Sequence, residues 1–595
     1  MTITSGAALR RDIPQACEPD DTVWGSDAIA DMLRAMDIPY VLLNPGASFR
    51  GLHDSLVNHL GNEKPQMVVT LHEEHAVAIA HGYAKVSGKP LIAILHSNVG
   101  LMHGSMAIFD AWVDRVPVIV LGATGPVDAN KRRPWIDWIH TSQDQGALVR
   151  DFIKWDAQPA SIPSAFEALL RARQIATTAP YGPVYVCFDA ALQESKLAAR
   201  PALPDLTRYL APPPARPADA VLAQAAELLS KARRPVLLMG RVSRDMQGWQ
   251  QRIQLAETLQ AEVLTDLRVG AAFPTGHPLY AAPAGQFLTP AAQAVLRAAD
   301  VVLSLDWLDL SGTLKQAWGD TPVASKVIQV SVDQYSHNGW SMDHQGLPPV
   351  DVFLLCEPEP AVELLNQHVK PRTAPVPAKQ PSSAAPAVAT ADGLTVGMLA
   401  AALRRALGEQ QVCLMRAPLS WSGEMWELKH PLDFLGYDGG GGIGSGPGMA
   451  IGSALALKGT ERLPLAVIGD GDYMMGVNAL WTAANAHIPM LLVVCNNRSF
   501  FHDEVHQERG ARQRNRPVEN RWIGQRIGNP APDLAMLARG QGLSGIGPVE
   551  NAAELESVLA EAIAAVKKGE AVVVDVIVQT GYSAAMTAGL TRSQE

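Results

Sequence analysis

Continuous apolar runs alternate with stretches of helical periodicity along the chain. Within residues 463–495, the runs LPLAVI and MLLVVC are typical of parallel strands that are buried on both faces. Between these two runs, apolar residues recur at helical spacing: Met474, Val477, Leu480, Trp481 and Ala484. The pattern predicts two parallel strands joined by a helical crossover.

The same alternation divides the chain into three blocks, residues 20–200, 215–370 and 393–585. Each block contains several buried-strand runs, among them LIAIL and VYVCF in the first, PVLLM and VVLSL in the second, and AVVVDVIV in the third. Residues 371–392 are rich in Pro, Ala and Ser without apolar periodicity, which predicts a linker. We therefore expect an α/β protein with three doubly wound parallel-sheet domains.

Composition narrows the class of protein. Of the 595 residues, 47% are hydrophobic and 18% are charged, and the net charge of −10 disfavours nucleic acid as a partner. No apolar run reaches the length of about 20 residues that a membrane span needs. The first twenty residues lack the apolar core of a signal peptide and predict a mobile tail. Scattered cysteines without a CxxC pattern suggest reduced thiols, so we expect a cytoplasmic protein. We expect its partner to be a small-molecule substrate.

The strongest local signal lies at the ends of the two strands in 463–495. Gly469-Asp470-Gly471 follows the first strand, and Asn497 follows the second. The carboxyl ends of neighbouring parallel strands are where ligands bind in open α/β sheets. A carboxylate and an amide oxygen there suit Mg²⁺ carrying a phosphate ligand, and the helix predicted to begin near Tyr473 adds free N–H groups.

This motif resembles the diphosphate–magnesium motif of thiamine diphosphate (ThDP) enzymes. The resemblance implies that Asp470, Asn497 and the backbone carbonyl of Ser499 hold Mg²⁺, with Gly469 and Gly471 beside the cofactor. The alternative is a structural strand–helix turn with an incidental acid. The three-block division also resembles the benzoylformate decarboxylase and acetolactate synthase-like superfamily. In that superfamily the blocks are a pyrimidine-binding domain, a central domain and a diphosphate-binding domain.

Residues 71–90 predict a helix with acids in its first turn and small residues that permit close packing. The spacing from Glu73 to Gly82-Tyr83 resembles the activating glutamate of the family, which favours Glu73 over Glu74. The resemblance implies that Glu73 hydrogen-bonds a pyrimidine nitrogen of ThDP from a dry pocket. The alternative is that Glu73 complements the helix N-terminus while it faces water.

In the family, this glutamate and the diphosphate site come from different subunits. The resemblance therefore implies a homodimer or homotetramer with active sites at the subunit interface.

Residues 439–452 predict a glycine-rich loop that runs into a helix, and the loop resembles the family loop along the waist of the cofactor. The alternative is that these glycines serve close packing and tight turning. The resemblance implies that the Gly441 carbonyl accepts from the amino group of the pyrimidine and that Ile443 supports the thiazolium ring. Ser420 and Ser422 lie where relatives contact the diphosphate. One departure is Asp472, where many relatives carry a small hydroxyl residue, and we expect its carboxylate to turn away and cap the helix.

At the substrate end, His96 follows a buried strand and resembles the active-site histidine of benzoylformate decarboxylase. The alternative is a histidine that is hydrogen-bonded under the loop. Asn44-Pro45-Gly46 also resembles the decarboxylases, but Ala47 stands where benzoylformate decarboxylase has a serine. Ser48 is a candidate substitute whose direction the sequence does not reveal.

The segment 498–527 follows the asparagine pair and includes Glu504, a candidate for proton transfer. Six arginines give this segment a local positive charge: Arg509, Arg512, Arg514, Arg516, Arg521 and Arg526. It predicts either a solvated surface loop, or a lid or channel that attracts an anionic substrate or CoA phosphates.

The leading hypothesis is a ThDP- and Mg²⁺-dependent C–C lyase acting on a 2-oxo acid or a related carbonyl compound, with carboligation as a second outcome. The alternatives are an acetolactate synthase-like transferase, a 2-hydroxyacyl-CoA lyase, and a non-catalytic binding protein that keeps the fold. The central block has no recognisable flavin fingerprint.

Overall fold

The computed structural model describes residues 9–16, 22–335, 346–372 and 393–581. Most of the predicted linker, residues 373–392, lies outside this description. The described part of the chain forms three parallel sheets, as the sequence predicts, together with one short antiparallel strand pair. The residue limits predicted for the domains stay a prediction.

The first domain has a six-stranded sheet in the order β3-β2-β4-β5-β7-β6, and a separate antiparallel pair of β1 and β8. Its strands are β1 (Val23–Trp24), β2 (Tyr40–Leu43), β3 (Gln66–Val69), β4 (Ile92–Leu95), β5 (Ile119–Thr124), β6 (Asp156–Ala157), β7 (Val184–Asp189) and β8 (Lys196–Leu197). Its α-helices are α1 (Gly25–Ala35), α2 (Arg50–Asp54), α3 (Glu73–Ser87), α4 (Ser97–Val113), α5 (Ile136–Ile139), α6 (Ile162–Ala176) and α7 (Ala190–Gln193).

The central domain has a five-stranded parallel sheet in the order β10-β9-β11-β12-β13. Its strands are β9 (Pro235–Met239), β10 (Glu262–Thr265), β11 (Val301–Leu305), β12 (Lys326–Val330) and β13 (Val352–Leu354). Its helices are α8 (Asp219–Lys231), α9 (Met246–Leu259), α10 (Pro290–Ala298), α11 (Leu310–Trp318) and α12 (Pro358–His368).

The third domain has a five-stranded parallel sheet in the order β14-β15-β16-β18-β17. Its strands are β14 (Val412–Arg416), β15 (Leu463–Gly469), β16 (Met490–Asn496), β17 (Ser544–Val549) and β18 (Ala571–Ile577). Its helices are α13 (Val396–Leu407), α14 (Gly446–Leu457), α15 (Asp470–Gly476), α16 (Leu480–Ala486), α17 (Phe501–Gln513), α18 (Leu534–Gly540) and α19 (Ala552–Lys567).

Helix α3 forms where the sequence predicts it. The His72 side chain caps its first turn by accepting the Glu74 N–H at 3.2 Å. Gly88 ends the helix in the left-handed conformation (φ 68°), which glycine adopts without strain. The interior of α3 combines apolar residues, mostly alanine, with Gly82 and the buried polar residues His75, His81 and Lys85, and most of its length is buried.

Helix α3 packs against α14, and this contact joins the first and third domains into one apolar core. The two helix backbones are in direct contact at glycines that leave no room for a side chain. A Cβ on Gly82 would lie 2.1 Å from the Met449 carbonyl oxygen, and a Cβ on Gly452 would lie 1.9 Å from the Ile79 carbonyl oxygen. Only glycine permits helices to approach this closely. The packing therefore sets how the first and third sheets lie relative to each other.

Arg244 of the central domain ties the three domains together. Its guanidinium, on a half-buried side chain, donates to the carbonyl oxygens of Lys85 (2.9 Å), Val269 (3.2 Å) and Leu435 (3.1 Å), which belong to the first, central and third domains. Burial lowers the pKa of Arg244, and the charge of Asp114 opposes the effect.

Two expectations from the sequence are wrong in detail. Part of the predicted mobile tail is packed: Leu9 is buried, and the Arg10 carbonyl accepts from the Gln66 side chain at 2.9 Å. The crossover helix begins at Asp470 rather than near Tyr473, and a 3₁₀ turn interrupts it before α16. Both differences come from tertiary packing, which local patterns do not encode.

We expect Gly452→Ala to lower the free energy of unfolding by about 1–3 kcal/mol, because its Cβ would collide with a backbone carbonyl that cannot rotate away. Thermal and urea denaturation would measure the effect. Gly510→Ala is the matched control, since no atom lies within 4 Å of a Cβ at that position of α17. Equal stability of the two variants would contradict the close approach of α3 and α14.

Candidate active site

The third domain brings its predicted site residues to one edge of the sheet. β14, β15 and β16 are neighbours, and Ser420, Asp470 and Asn497 follow their carboxyl ends. Asp470 Oδ2 and Asn497 Oδ1 both accept the Ser499 N–H, at 3.1 and 2.9 Å. This shared donor draws a carboxylate oxygen and an amide oxygen together beside the Ser499 backbone.

The Asp470 carboxyl is buried without a cationic side chain as a hydrogen-bond or ion-pair partner among the described residues. Burial raises its pKa to about 6, against the opposing effect of several backbone N–H groups. A buried acid in this state fits a divalent cation, because the cation would supply the missing positive charge. The donor set of hard oxygen atoms suits Mg²⁺.

Glu504 lies behind this site in α17. Its side chain is fully buried, accepts the Ser499 hydroxyl, and faces the Arg526 Nε at 3.3 Å and the Arg521 Nε at 3.7 Å. These contacts hold Ser499 in place and favour a positioning role for Glu504. Its predicted part in proton transfer stays a prediction.

The glycine-rich loop 439–446 leads into α14. Gly441 is exposed with φ 73°, and Ile443 is half-buried. Asp472 does not cap its own helix, which corrects the expectation from the sequence. Its Oδ1 instead accepts the N–H groups of Gly444 (2.7 Å) and Gly446 (3.1 Å) at the start of α14.

The remaining cofactor candidates line the same edge. Ser420 and Ser422 are half-buried in the turn after β14. A Cβ on Gly469 would meet no atom within 4 Å, whereas a Cβ on Gly471 would lie 2.5 Å from the Phe500 ring. Gly469 therefore opens onto free space, and Gly471 is required for packing against Phe500.

In the first domain, Glu73 is buried at the start of α3, directly beyond the end of β3. Its Oε2 lies 3.0 Å from Nδ1 of His103, a residue of α4. A Cβ on Gly100 would lie 3.0 Å from Glu73 Oε1, so the absence of a side chain there leaves room for that oxygen. His103 was not predicted; its only sequence signal is its position one turn beyond Gly100.

Glu73 and Glu74 face different parts of the molecule. Glu74 approaches the glycine-rich loop of its own chain, where a Cβ on Gly444 would lie 3.8 Å from its Oε1. Burial, followed by the charge of Asp472, raises the pKa of Glu74. Glu73 instead contacts His103, on the side where Met102 is exposed.

His96 follows β4, and β3 and β4 flank the same strand β2. Its Nδ1 lies 2.9 Å from the Ser48 hydroxyl, which is buried and also accepts the Ser97 N–H. A Cβ on Gly46 would lie 2.4 Å from the His96 ring, so this glycine is needed for the loop to pass the histidine. The structure thus gives Ser48 a defined direction.

A second histidine, His140, was not predicted. Its ring lies edge-on to His96, with 4.7 Å between ring centroids. Burial, and then the proximity of His140, lowers the pKa of His96 and favours the neutral imidazole. The two residues are far apart in the sequence, and no local pattern connects them.

The arginine-rich segment is not a loop throughout, because α17 occupies its first half. Several of its arginines already have carboxylate partners: Arg512 and Arg521 contact Glu508, and Arg521 and Arg526 contact Glu504. These contacts neutralise part of the positive charge.

A separate cavity of about 460 Å³ lies between the first and central domains, beyond the carboxyl ends of the central strands. Arg241 lines it and pairs with Asp306 and Asp333.

Three family models match the chain in succession. They are the N-terminal TPP binding domain over residues 23–148, the central domain over residues 222–343, and the C-terminal TPP binding domain over residues 418–576 of the thiamine pyrophosphate enzymes. The chain belongs to the thiamine pyrophosphate enzyme family. ThDP, the same compound as thiamine pyrophosphate, is therefore its cofactor, and the domains matched at each end are those that bind it.

This thiamine pyrophosphate enzyme is 26% identical to benzoylformate decarboxylase of Pseudomonas aeruginosa over 515 residues, which cover 84% of the chain and 89% of the relative. It is 23% identical to acetolactate synthase 1 of Nicotiana tabacum over 515 residues, covering 81% and 71%. The solved structure of a 4-hydroxybenzoylformate decarboxylase from Rhodococcus jostii matches with a TM-score of 0.74 at 21% identity, covering 94% of this chain and 100% of that one. The last comparison supports the fold.

Within the described residues, the helices lack the combination of length and apolar character that crossing a bilayer requires.

We expect acid to destabilise the folded protein through His75, which is buried one turn into α3 beside Glu73 and Glu74. Burial lowers the pKa of His75 from 6.5 to about 4. Between these values the unfolded chain binds a proton that the folded chain does not, so stability falls as pH drops from 6.5 to 4. The loss amounts to about 3 kcal/mol.

Urea denaturation of the wild type and of His75→Gln between pH 7 and pH 4 would measure this contribution. The variant should lose less stability over that range, since it removes the titrating group. Parallel pH profiles for the two proteins would contradict the assignment.

Proposed function

We propose that this thiamine pyrophosphate enzyme is a Mg²⁺-dependent C–C lyase that decarboxylates a 2-oxo acid. Carboligation is the outcome when a second carbonyl compound captures the product. The observation that carries the proposal is that an acid and a histidine lie together at one edge of the first sheet. There, buried Glu73 and the Ser48-bound His96 follow strands that flank β2.

The residues of the third domain fit the diphosphate end of ThDP. Asp470, Asn497 and the Ser499 carbonyl would hold Mg²⁺, and Ser420, Ser422, Gly469 and Gly471 would surround the diphosphate. Gly441 and Ile443 would hold the ring system. When bound, ThDP supplies a carbon nucleophile and an electron sink for cleavage of the bond beside a carbonyl group.

The chain itself supplies the proton-handling groups. Glu73 would hold a proton against the pyrimidine ring from a pocket that excludes water. His96 would give or take a proton at the substrate, and the Ser48 hydroxyl would keep its ring oriented. Burial and His140 lower the pKa of His96, which favours the neutral imidazole, the form that accepts a proton.

The alternative functions have weaker support. An acetolactate synthase-like transferase is consistent with the similarity to the tobacco enzyme, but His96 favours a decarboxylase. A 2-hydroxyacyl-CoA lyase needs a site for CoA phosphates, and the carboxylate partners of Arg512, Arg521 and Arg526 weigh against the arginine-rich segment. The presence of Glu73 weighs against a non-catalytic protein.

The active site would form between two copies of the chain. The packing of α3 on α14 turns Glu74 towards its own glycine-rich loop and leaves Glu73 on the other side. Large apolar side chains near Glu73 are exposed, with Leu71 at 44% and Met102 at 55%, as expected of a surface that a partner covers. We therefore propose a homodimer or homotetramer with shared sites, acting in the cytoplasm.

Glu73→Gln and Asp470→Ala should each abolish turnover, the first with ThDP binding nearly intact and the second through loss of Mg²⁺-dependent binding. If each site combines residues from two subunits, coexpression of the variants regenerates one intact site in each heterodimer. Random pairing then restores about a quarter of wild-type activity. Steady-state turnover of the whole coexpressed protein, purified without separating the dimers, would measure the recovery.

A double variant carrying both substitutions in one chain is the control, and it should stay inactive when coexpressed with either single variant. No recovery from the pair of single variants, despite confirmed heterodimers, would contradict the shared site. Full activity of Glu73→Gln would remove Glu73 from catalysis.

The reaction products distinguish the decarboxylase from the two alternative enzymes. With ThDP and Mg²⁺, we expect at least one aromatic or aliphatic 2-oxo acid to yield CO₂ and an aldehyde in equal amounts. Acetolactate as the product from pyruvate would favour the transferase, and cleavage of 2-hydroxyacyl-CoA without CO₂ would favour the CoA lyase. The Glu73→Gln protein, assayed in parallel, reports the background.

A further inference from the structure

Three backbone N–H groups of the glycine-rich loop are held by carboxylates of the chain itself. Asp438 Oδ1 accepts the Gly441 N–H at 3.0 Å. Asp472 Oδ1 accepts the N–H groups of Gly444 and Gly446 at 2.7 and 3.1 Å. In the sequence, these donors flank Ile443, the residue expected to support the thiazolium ring.

One buried arginine joins the two carboxylates. Arg416, at the end of β14, lies 2.6 Å from Asp438 Oδ2 and 3.2 Å from Asp472 Oδ2 through the same Nη2 atom. The three side chains are all less than a tenth exposed. Charge-assisted hydrogen bonds are stronger in such a site than in water, because the dielectric constant is low.

The loop cannot hold its shape through side-chain packing of its own. Gly439, Gly441 and Gly444 have positive φ angles of 77°, 73° and 109°, and glycines make up most of the segment. Such a sequence is the most costly to order. A Cβ on Gly446 would lie 2.3 Å from Asp472 Oδ2, so the last glycine of the loop is shaped to receive this carboxylate.

We propose that Arg416, Asp438 and Asp472 form a clamp that holds the glycine-rich loop in its cofactor-binding shape before the cofactor arrives. Asp472 is then a positioning residue, which explains a carboxylate at a place where many ThDP enzymes carry a small hydroxyl residue. The clamp removes part of the ordering cost from the binding step, so it tightens ThDP binding without touching the substrate. Its consequence for ThDP rests on the proposed function, whereas its effect on the loop does not.

Hydrogen exchange on the full-length protein without cofactor tests the clamp directly. We expect exchange of the amides in 441–446 to rise about 10- to 100-fold in Asp472→Ala, which removes the acceptor of two of these N–H groups, and in Arg416→Met, which removes the bridge. Calorimetry with ThDP and Mg²⁺ should then show a dissociation constant about tenfold higher for each variant. Arg416→Lys should recover part of the protection, because it retains one positive charge.

Arg462→Met is the matched control. Arg462 is also buried at a strand end of the third domain, where it pairs with Asp433 at 2.7 Å and donates to the Val412 carbonyl, but it does not contact the loop. This variant should lose global stability without faster exchange in 441–446. Asp472→Asn keeps a carbonyl oxygen as acceptor but loses the negative charge. If Asp472→Ala does not fold, Asp472→Asn replaces it in the test, and we expect a small rise in the exchange of the loop amides.

The clamp would be overturned if the amides in 441–446 exchange no faster in Asp472→Ala and Arg416→Met than they do in Arg462→Met. If Asp472→Ala does not fold, unchanged loop exchange in Asp472→Asn overturns it in the same way. Faster loop exchange together with unchanged ThDP affinity would overturn its role in cofactor binding. A wild-type protein that binds no ThDP would instead refute the proposed function, while the exchange experiment still reports on the loop.

Discussion

The close contact of α3 with α14 is the constraint on which the active-site architecture depends. At Gly82 and Gly452 the backbone of one helix reaches the carbonyl groups of the other, and any side chain would prevent this. The first and third domains consequently share one apolar core. Because Glu73 begins α3 and the glycine-rich loop ends at α14, the same contact sets the direction in which each chain presents Glu73 relative to its own glycine-rich loop.

Around this apolar contact, buried charges are held in small groups. Arg416 lies between Asp438 and Asp472, Lys85 pairs with Asp114, and Glu504 lies against two arginines. Burying an unpaired ion is costly, so these pairs restrict the conformations available to the loops that carry them. Asp470 differs, since its closest partners are backbone N–H groups, and this difference is what fits it to a metal ion.

Much of the candidate site could be predicted because its residues lie in short motifs. Asp470 and Asn497 follow strands whose apolar runs are obvious, and parallel pairing brings their ends together. Glu73 was predicted from its spacing to Gly82-Tyr83, which resembles the activating glutamate of the family. His103, His140 and Arg416 were missed because their importance arises from contacts between elements distant in sequence. The helix in the arginine-rich segment was missed because its polar face gives little apolar periodicity.

The sequence by itself determined the three α/β domains, the family of the chain and the identity of the acids at the strand ends, since these follow from local patterns of apolar residues, glycines and carboxylates. Only the tertiary structure decided where side chains of similar chemistry point. Glu73 and Glu74 are adjacent on one helix, yet one meets His103 and the other meets the glycine-rich loop of its own chain. Asp472 looks like a helix cap in the sequence, but the packing of α14 against α15 directs it to another element. The direction of a side chain depends on which elements pack against each face of its helix, and the residues that determine this packing are spread over the whole chain.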